Sequence, residues 1–87
     1  MKIKNGYLLR EIADTHIVVP IAERVIEFKG MMVLNEISAK IWNYLQEDRT
    51  FDQVLDYILS IYDIDEETAR SDVSGMLDQM QASGVLE

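Results

Sequence analysis

Few side chains in this sequence could carry out chemistry, and they are scattered. His16 is the single histidine, and it begins a β-branched segment with no acidic residue four positions later. A histidine base normally needs a nucleophile or an orienting carboxylate at a fixed position. We therefore interpret His16 as an ordinary strand residue. The chain has no cysteine, which excludes disulfides, thiolate nucleophiles and cysteine-ligated zinc.

Carboxylates form one dense group near the start of the last third of the chain. Asp63, Asp65, Glu66 and Glu67 could in principle hold a cation, but their spacing does not match an EF-hand loop. Capping of a helix N-terminus explains the same residues better. The glycines are isolated, so no phosphate-binding loop is present. The sequence predicts no catalytic residue, no metal site and no cofactor.

The overall charge of the chain limits the classes of molecule that it can bind. Sixteen acidic residues face eight basic ones, which gives a formal net charge of −8. Nucleic acid and anionic membranes attract basic surfaces, so both are poor partners for this chain. A neutral or basic polypeptide is a better electrostatic match. The first six residues lack an apolar signal core, and the longest apolar run, residues 17–22, is interrupted by Pro20. We expect a cytoplasmic protein without a membrane-spanning segment.

The first part of the chain reads as three strands. Residues 7–12 and 15–21 are rich in apolar and β-branched side chains, and Ala13-Asp14 is a plausible turn between them. A second turn at residues 22–24 leads into a third apolar stretch from Val25 to Leu34. Gly30 would mark a bulge or tight bend within that stretch. The pattern predicts three consecutive antiparallel strands.

The second part reads as three helices with recognisable start signals. Asn35 is a good N-cap for the first, and Thr50 with Gln53 forms a capping box for the second. Asp63 and Asp65 are rival N-caps for the third, which should end at Ser83-Gly84. The last apolar residues would then pack back on the domain or add a short strand. The whole chain, residues 1–87, is predicted to be one α+β domain of winged-helix-like form, a three-stranded antiparallel sheet followed by three helices.

Two functions common in small helical domains fit poorly. Acyl carriers attach their arm to a serine that follows an aspartate, and no Asp-Ser pair occurs here. In DNA-binding winged helices the later helix enters the major groove. The predicted third helix carries a single arginine, Arg70, among five acidic residues, so phosphate repulsion would oppose docking.

A longer set of residues resembles a known family. It comprises residues 17–20, the block from Gly30 to Leu45 that contains Leu34-Asn35 and ends in Trp42-Asn43-Tyr44-Leu45, then Thr50-Phe51, Tyr62, Asp72-Val73, Leu77 and the closing Gly84-Val85-Leu86. In combination, this series resembles the PqqD family, also called the RiPP recognition element. The resemblance runs from about Tyr7 to the C-terminus.

The resemblance implies a partner and a mode of binding. Such domains bind the leader segment of a ribosomally made precursor peptide and present it to a tailoring enzyme, either a radical-SAM protein or a leader peptidase. The leader adds a strand to the edge of the third strand, and its side chains enter a groove beside the third helix. The peptide-binding residues implied are Val25, Ile26, Glu27, Phe28, Met31, Met32 and Val33 on the strand, and Ala69, Arg70, Val73, Met76, Leu77 and Met80 on the helix.

The residues themselves agree with this mechanism. An edge strand offers unpaired N–H and C=O groups to an incoming chain. Methionines such as Met76 suit adaptable binding surfaces, although they also fill cores, and the sequence leaves both roles open. Arg70 could meet an acidic leader residue. A nucleic-acid-binding winged helix and a domain for some other protein partner remain the alternatives at this point.

Overall fold

A computed structural model describes residues 1–21 and 32–87. Within these ranges the chain forms three strands and three helices in sequence. Their bounds are β1 Tyr7–Ile12, β2 Thr15–Pro20, β3 Met32–Leu34, α1 Glu36–Tyr44, α2 Phe51–Ile61 and α3 Glu66–Ala82. The strands form one antiparallel sheet in the order β1-β2-β3. This confirms the predicted fold. None of the described helices is long and apolar enough to cross a membrane.

A tight turn joins β1 to β2. Ala13 and Asp14 both have positive φ, 50° and 65°, and the strands on either side pair from Ile12 opposite Thr15 to Tyr7 opposite Pro20. A two-residue turn with two positive φ angles matches the natural twist of antiparallel strands. The turn predicted from Ala13-Asp14 is therefore confirmed, and it fixes which residues share a face of the hairpin.

The described part of the third strand is short. Met32 lies opposite Val18, and Leu34 lies opposite His16. The sequence predicted a strand from Val25, but residues 22–31 lie outside the described part of the chain. The prediction for Val25, Ile26, Glu27, Phe28 and Met31 therefore stays a prediction.

The two faces of the sheet have different surroundings. Val18, Met32 and Leu34 point to the inner face and are buried, because successive side chains in a strand alternate between faces. Val33 points outward and is 56 % exposed. The inner face packs on the helices and forms the sheet side of the core.

The helix start signals predicted from the sequence are all present. The Asn35 side chain accepts a hydrogen bond from the Ser38 amide at 2.8 Å. Thr50 and Gln53 make the reciprocal capping box. Asp65, rather than Asp63, caps α3 and accepts from the Thr68 amide at 3.0 Å. Gly84, with φ of 77°, follows the end of α3 at the left-handed position expected for glycine.

The core lies where the sheet and all three helices meet. Its fully buried side chains are Trp42, Ile41, Leu45, Ile58, Met80, Val18, Val54, Val73 and Val85. The Tyr7 ring meets the Trp42 ring edge-on, with 6.4 Å between centroids, and so ties β1 to α1. The chain ends also meet, since Ile3 and Leu86 form an antiparallel bridge. This core fixes the positions of β3, α1 and α3 relative to one another.

Candidate peptide-binding site

The third strand leaves hydrogen-bonding groups available. β3 pairs with β2 on one side, and no described strand pairs with its other side. An unpaired strand edge can accept another extended chain through its N–H and C=O groups. The three residues of β3 thus offer a template for an added strand.

A groove of about 280 Å³ opens where β3 ends, between the beginning of α1 and the middle of α3. Its lining comprises Asn35, Ile37, Ser38, Ser71, Asp72, Gly75, Met76 and Gln79. Asn35 directly follows the last residue of β3. The groove therefore begins directly after the last residue of β3.

Helical spacing explains which α3 residues line the groove. Ser71, Gly75 and Gln79 follow one another at intervals of four residues, with Asp72 and Met76 alongside them. Residues three and four apart share one side of a helix. The neighbouring side of α3, which includes Val73 and Met80, is buried in the core. One helix therefore serves both the core and the groove, on adjacent sides.

The floor of the groove has free space at its centre. A Cβ atom added to Gly75 would meet no atom within 4 Å. Met76 beside it is buried, and Ile37 on the facing wall is half-buried. The groove thus combines an apolar floor with a rim of polar groups, a composition typical of sites that hold a side chain and fix its orientation.

Asn35 and Asp72 are the groove side chains with the most defined electrostatic roles. The Asn35 side-chain oxygen already caps α1, so its amide NH₂ group is the part left to face a ligand. Of the described residues that line the groove, Asp72 is the only one with a charged side chain. It is exposed and forms no ion pair with any described residue.

The model of the family described as coenzyme PQQ synthesis protein D matches residues 15–86. The chain belongs to the PqqD family. This confirms the resemblance seen in the sequence. No curated protein matches the chain.

Two solved structures have the fold of this PqqD-family chain. One is TbiB1 in complex with the TbiA(beta) leader peptide, with a TM-score of 0.75, 22 % sequence identity and coverage of 100 % of this chain and 95 % of that chain. The other is lasso peptide synthetase B1 complexed with the leader peptide, with a TM-score of 0.72, 13 % identity and coverage of 99 % and 95 %. At these identities the likeness supports the fold.

The residues predicted on β3 occupy two environments in this PqqD-family chain. Met32 is buried on the inner face and Val33 is exposed on the outer face. Neither side chain lines the groove. In strand addition the backbone makes the contacts, so both residues can take part through their amide and carbonyl groups.

The residues predicted on α3 separate into groove, core and far side. Met76 lines the groove. Ala69, Val73, Met80 and Leu77 are core residues with little or no exposure, so they shape the groove only by supporting the helix. Arg70 lies elsewhere: it forms an ion pair with Glu66 at 3.2 Å, and its guanidinium lies 5.8 Å from the centre of the Phe51 ring on α2.

Sequence reasoning missed most of the polar groove lining. Ser38, Ser71, Asp72, Gly75 and Gln79 were not among the predicted contacts, although all line the groove. The available signal was the position of these residues on a helix, next to the side that carries the apolar residues. Asn35 was recognised as a helix cap and as part of the family resemblance, but not as a peptide contact.

A second, larger cavity of about 640 Å³ lies between the β1–β2 hairpin and the other side of α1. Its lining comprises Leu9, Glu11, Asp14, His16, Leu34, Asn35, Glu36, Ala39, Lys40 and Asn43. Within the described ranges, no group of three His, Asp or Glu side chains is placed to hold a metal ion, here or elsewhere. It lies on the inner face of the sheet and reaches the end of β3 at Leu34.

Proposed function

We propose that this PqqD-family protein is a non-catalytic cytoplasmic adaptor that binds the leader segment of a ribosomally made precursor peptide. The leader adds as a strand to the open side of β3 and places side chains in the groove between α1 and α3. The adaptor then presents the precursor to a tailoring enzyme, either a radical-SAM protein or a leader peptidase. One observation supports the proposal: β3 has a side that no described strand pairs with, and Asn35, the next residue, lines a groove of mixed apolar and polar character between α1 and α3.

The likeness to solved structures supports this choice of ligand. Both solved structures of the same fold hold a leader peptide. Family membership extends over residues 15–86, which include β3, α1 and α3. The three elements proposed to bind the leader are therefore inside the region that the family shares.

The alternative of DNA binding is disfavoured by the surface of α3. Glu66, Glu67, Asp72 and Asp78 are all exposed on this helix, and its one arginine is already paired with Glu66. A DNA-binding helix must bring positive charge to the phosphates. The exposed acidic side chains would instead repel a duplex.

Amide NMR on the isotope-labelled protein tests the site of binding. The titrant is the leader part of a short precursor encoded beside the gene. We expect the largest shift changes in β3 and from Ser71 to Gln79, with little change on the exposed side of α2 near Asp52, Asp56 and Ser60. Saturable changes confined to the hairpin and the outer side of α1 would contradict the proposal. The isolated protein should also leave the mass of the precursor unchanged.

A further inference from the structure

Among the described residues, the groove lining carries one negative charge and no positive charge. Asp72 is exposed in the lining, while the other seven lining residues are neutral. Elsewhere in the helical part of the chain, arginines neutralise nearby carboxylates: Arg49 pairs with Glu47 at 2.8 Å and Arg70 with Glu66 at 3.2 Å. Asp72 forms no such pair with a described residue.

No described cation is in position to supply the missing charge. Arg70 precedes Asp72 by only two residues, but positions two apart on a helix point in very different directions. Its guanidinium is directed to Glu66 and Phe51 instead. The other exposed acidic residues of α3 make the surroundings of the groove more negative still.

The shape of the groove suits one kind of side chain in particular. Met76 and Ile37 offer apolar contact, and there is open space beside Gly75. Lys and Arg side chains lay an apolar stem along such a surface and keep the charged head at a polar rim. The Asp72 carboxylate stands on that rim, with the Ser71 and Gln79 side chains on the same side of the helix as further polar partners.

We propose that Asp72 makes the groove selective for peptides that carry Lys or Arg at the residue pointing toward α3. This inference rests on the proposed peptide binding and adds the charge of the residue that the site recognises. It replaces the sequence-based expectation that Arg70 meets an acidic leader residue, because Arg70 lies outside the groove. Asp72 acts as a specificity-determining residue.

A peptide selection tests the inference with a random library in place of the cognate leader. The library, displayed on its encoding nucleic acid, is selected against the wild-type protein, Asp72→Asn and Asp72→Lys. We expect the wild type to enrich peptides with Lys or Arg at one position. That preference should disappear with Asp72→Asn and turn to Asp or Glu with Asp72→Lys.

Affinities of one enriched peptide supply the quantitative test. A charge-assisted pair at a partly exposed site should make Asp72→Asn bind about 5- to 10-fold more weakly, with a smaller difference at high salt. Asp78→Asn is the matched control: it removes the same charge from an exposed position of α3 outside the groove and should bind like the wild type. Circular dichroism confirms that each variant is folded.

The possible outcomes distinguish the charge preference of Asp72 from the proposed peptide binding on which it rests. Enriched peptides that Asp72→Asn binds as well as the wild type does would overturn the charge preference, while peptide binding itself would stand. The same holds if Asp78→Asn weakens binding as much as Asp72→Asn does, because the effect would then come from net charge alone. The selection could instead yield no peptide, or only peptides that still bind after Gly75→Phe has filled the groove. Either result would overturn both the charge preference and the proposed peptide binding.

Discussion

Two cavities lie on opposite sides of α1, and the larger one is the poorer candidate for a peptide. The cavity beside the hairpin has more than twice the volume of the groove beside α3, about 640 against 280 Å³. The smaller one begins at Asn35, directly after β3, the strand with a side that no described strand pairs with, whereas the larger one lies on the inner face of the sheet, across β1, β2 and the end of β3. An extended ligand gains main-chain hydrogen bonds from such a strand before any side chain is buried. The comparison teaches that volume alone does not locate a peptide site.

The chemistry of the two linings differs as well. The hairpin cavity contains both signs of charge, with Glu11 and Glu36 facing a lining that also includes Lys40 and His16. The groove contains a single carboxylate above an apolar floor. A lining of mixed charge can form internal ion pairs, whereas the exposed Asp72 carboxylate has no described partner and is available to a cation on a ligand.

The largest expected effect distinguishes the two sides of α3. Met80 is fully buried, and its neighbour Gln79 is exposed in the groove. Met80→Ala should lower the free energy of unfolding by about 2–5 kcal/mol because it leaves a cavity in the core. Gln79→Ala should change stability by less than about 0.5 kcal/mol, as exposed substitutions usually do. Urea denaturation measures both.

Peptide binding should show the reverse order for this pair. Gln79→Ala should weaken binding several-fold, while folded Met80→Ala should bind within about twofold of the wild type, since a core side chain contacts no ligand. Equal loss of stability in the two variants would show that the groove side and the core side of α3 are wrongly assigned.

The next effect compares the two cavities directly. Gly75→Phe should fill the groove, and Asn43→Phe should place the same ring in the hairpin cavity. The phenylalanine ring should prevent burial of a leader side chain in the groove. The loss of about 2 kcal/mol of binding free energy corresponds to roughly 30-fold weaker leader binding for Gly75→Phe. Asn43→Phe should leave binding unchanged. Fluorescence anisotropy with a labelled leader measures both affinities.

Gly75→Ala separates blocking from a general disturbance of the helix. Its methyl group would meet no atom within 4 Å, and alanine is favoured over glycine inside a helix by about 0.5–1 kcal/mol. The variant should therefore melt at a higher temperature. If Asn43→Phe rather than Gly75→Phe removes binding, the leader occupies the hairpin cavity and our choice of site is wrong.

The smallest expected effect concerns the starts of the two helices that form the groove walls. Hydrogen bonding by the side chain and backbone of Thr68 holds the pKa of Asp65 below its ordinary value of 3.8. Because the folded pKa lies below the unfolded one, the stabilisation is complete above about pH 4 and is lost as the pH falls through the folded pKa. Asn35, which caps α1, does not titrate in this range.

Acid should therefore loosen the beginning of α3 before it affects the beginning of α1. Asp65→Asn supplies a cap without a titrating group. Between pH 7 and pH 3, its melting temperature should fall by a few degrees less than that of the wild type. Identical falls in the two proteins would mean that other carboxylates, such as Asp48 at the N-terminal ammonium group, account for the whole acid response.

Most of the fold could be predicted because its signals are local. The turn at Ala13-Asp14, the cap at Asn35 and the capping box at Thr50 each depend on a few adjacent residues, and the structure contains all three. The choice between Asp63 and Asp65 could not be made from sequence. It depended on where α3 begins: the helix starts at Glu66, so Asp65 directly precedes it and accepts from the Thr68 amide.

The binding site was harder to predict because helical periodicity identifies an apolar side but not what covers it. Val73 and Met80 were expected to contact peptide, yet they pack in the core. Met76 lies at the border between the two sides and serves the groove. The groove is defined by the approach of α1 to α3, a contact between segments far apart in the chain. The sequence pattern of α3 alone does not indicate this contact between α1 and α3.

Asn35 is the one described residue common to the linings of both cavities, and it also caps α1. A ligand in one cavity that reorients the Asn35 side chain must alter its cap on α1. The binding free energy of a ligand in the other cavity then changes as well. Thermodynamic linkage requires this influence to be equal in both directions. A small molecule that moved the Asn35 side chain from the hairpin cavity would thus change the affinity of the groove for a peptide, and a peptide that moved it from the groove would change the affinity for that molecule by the same factor.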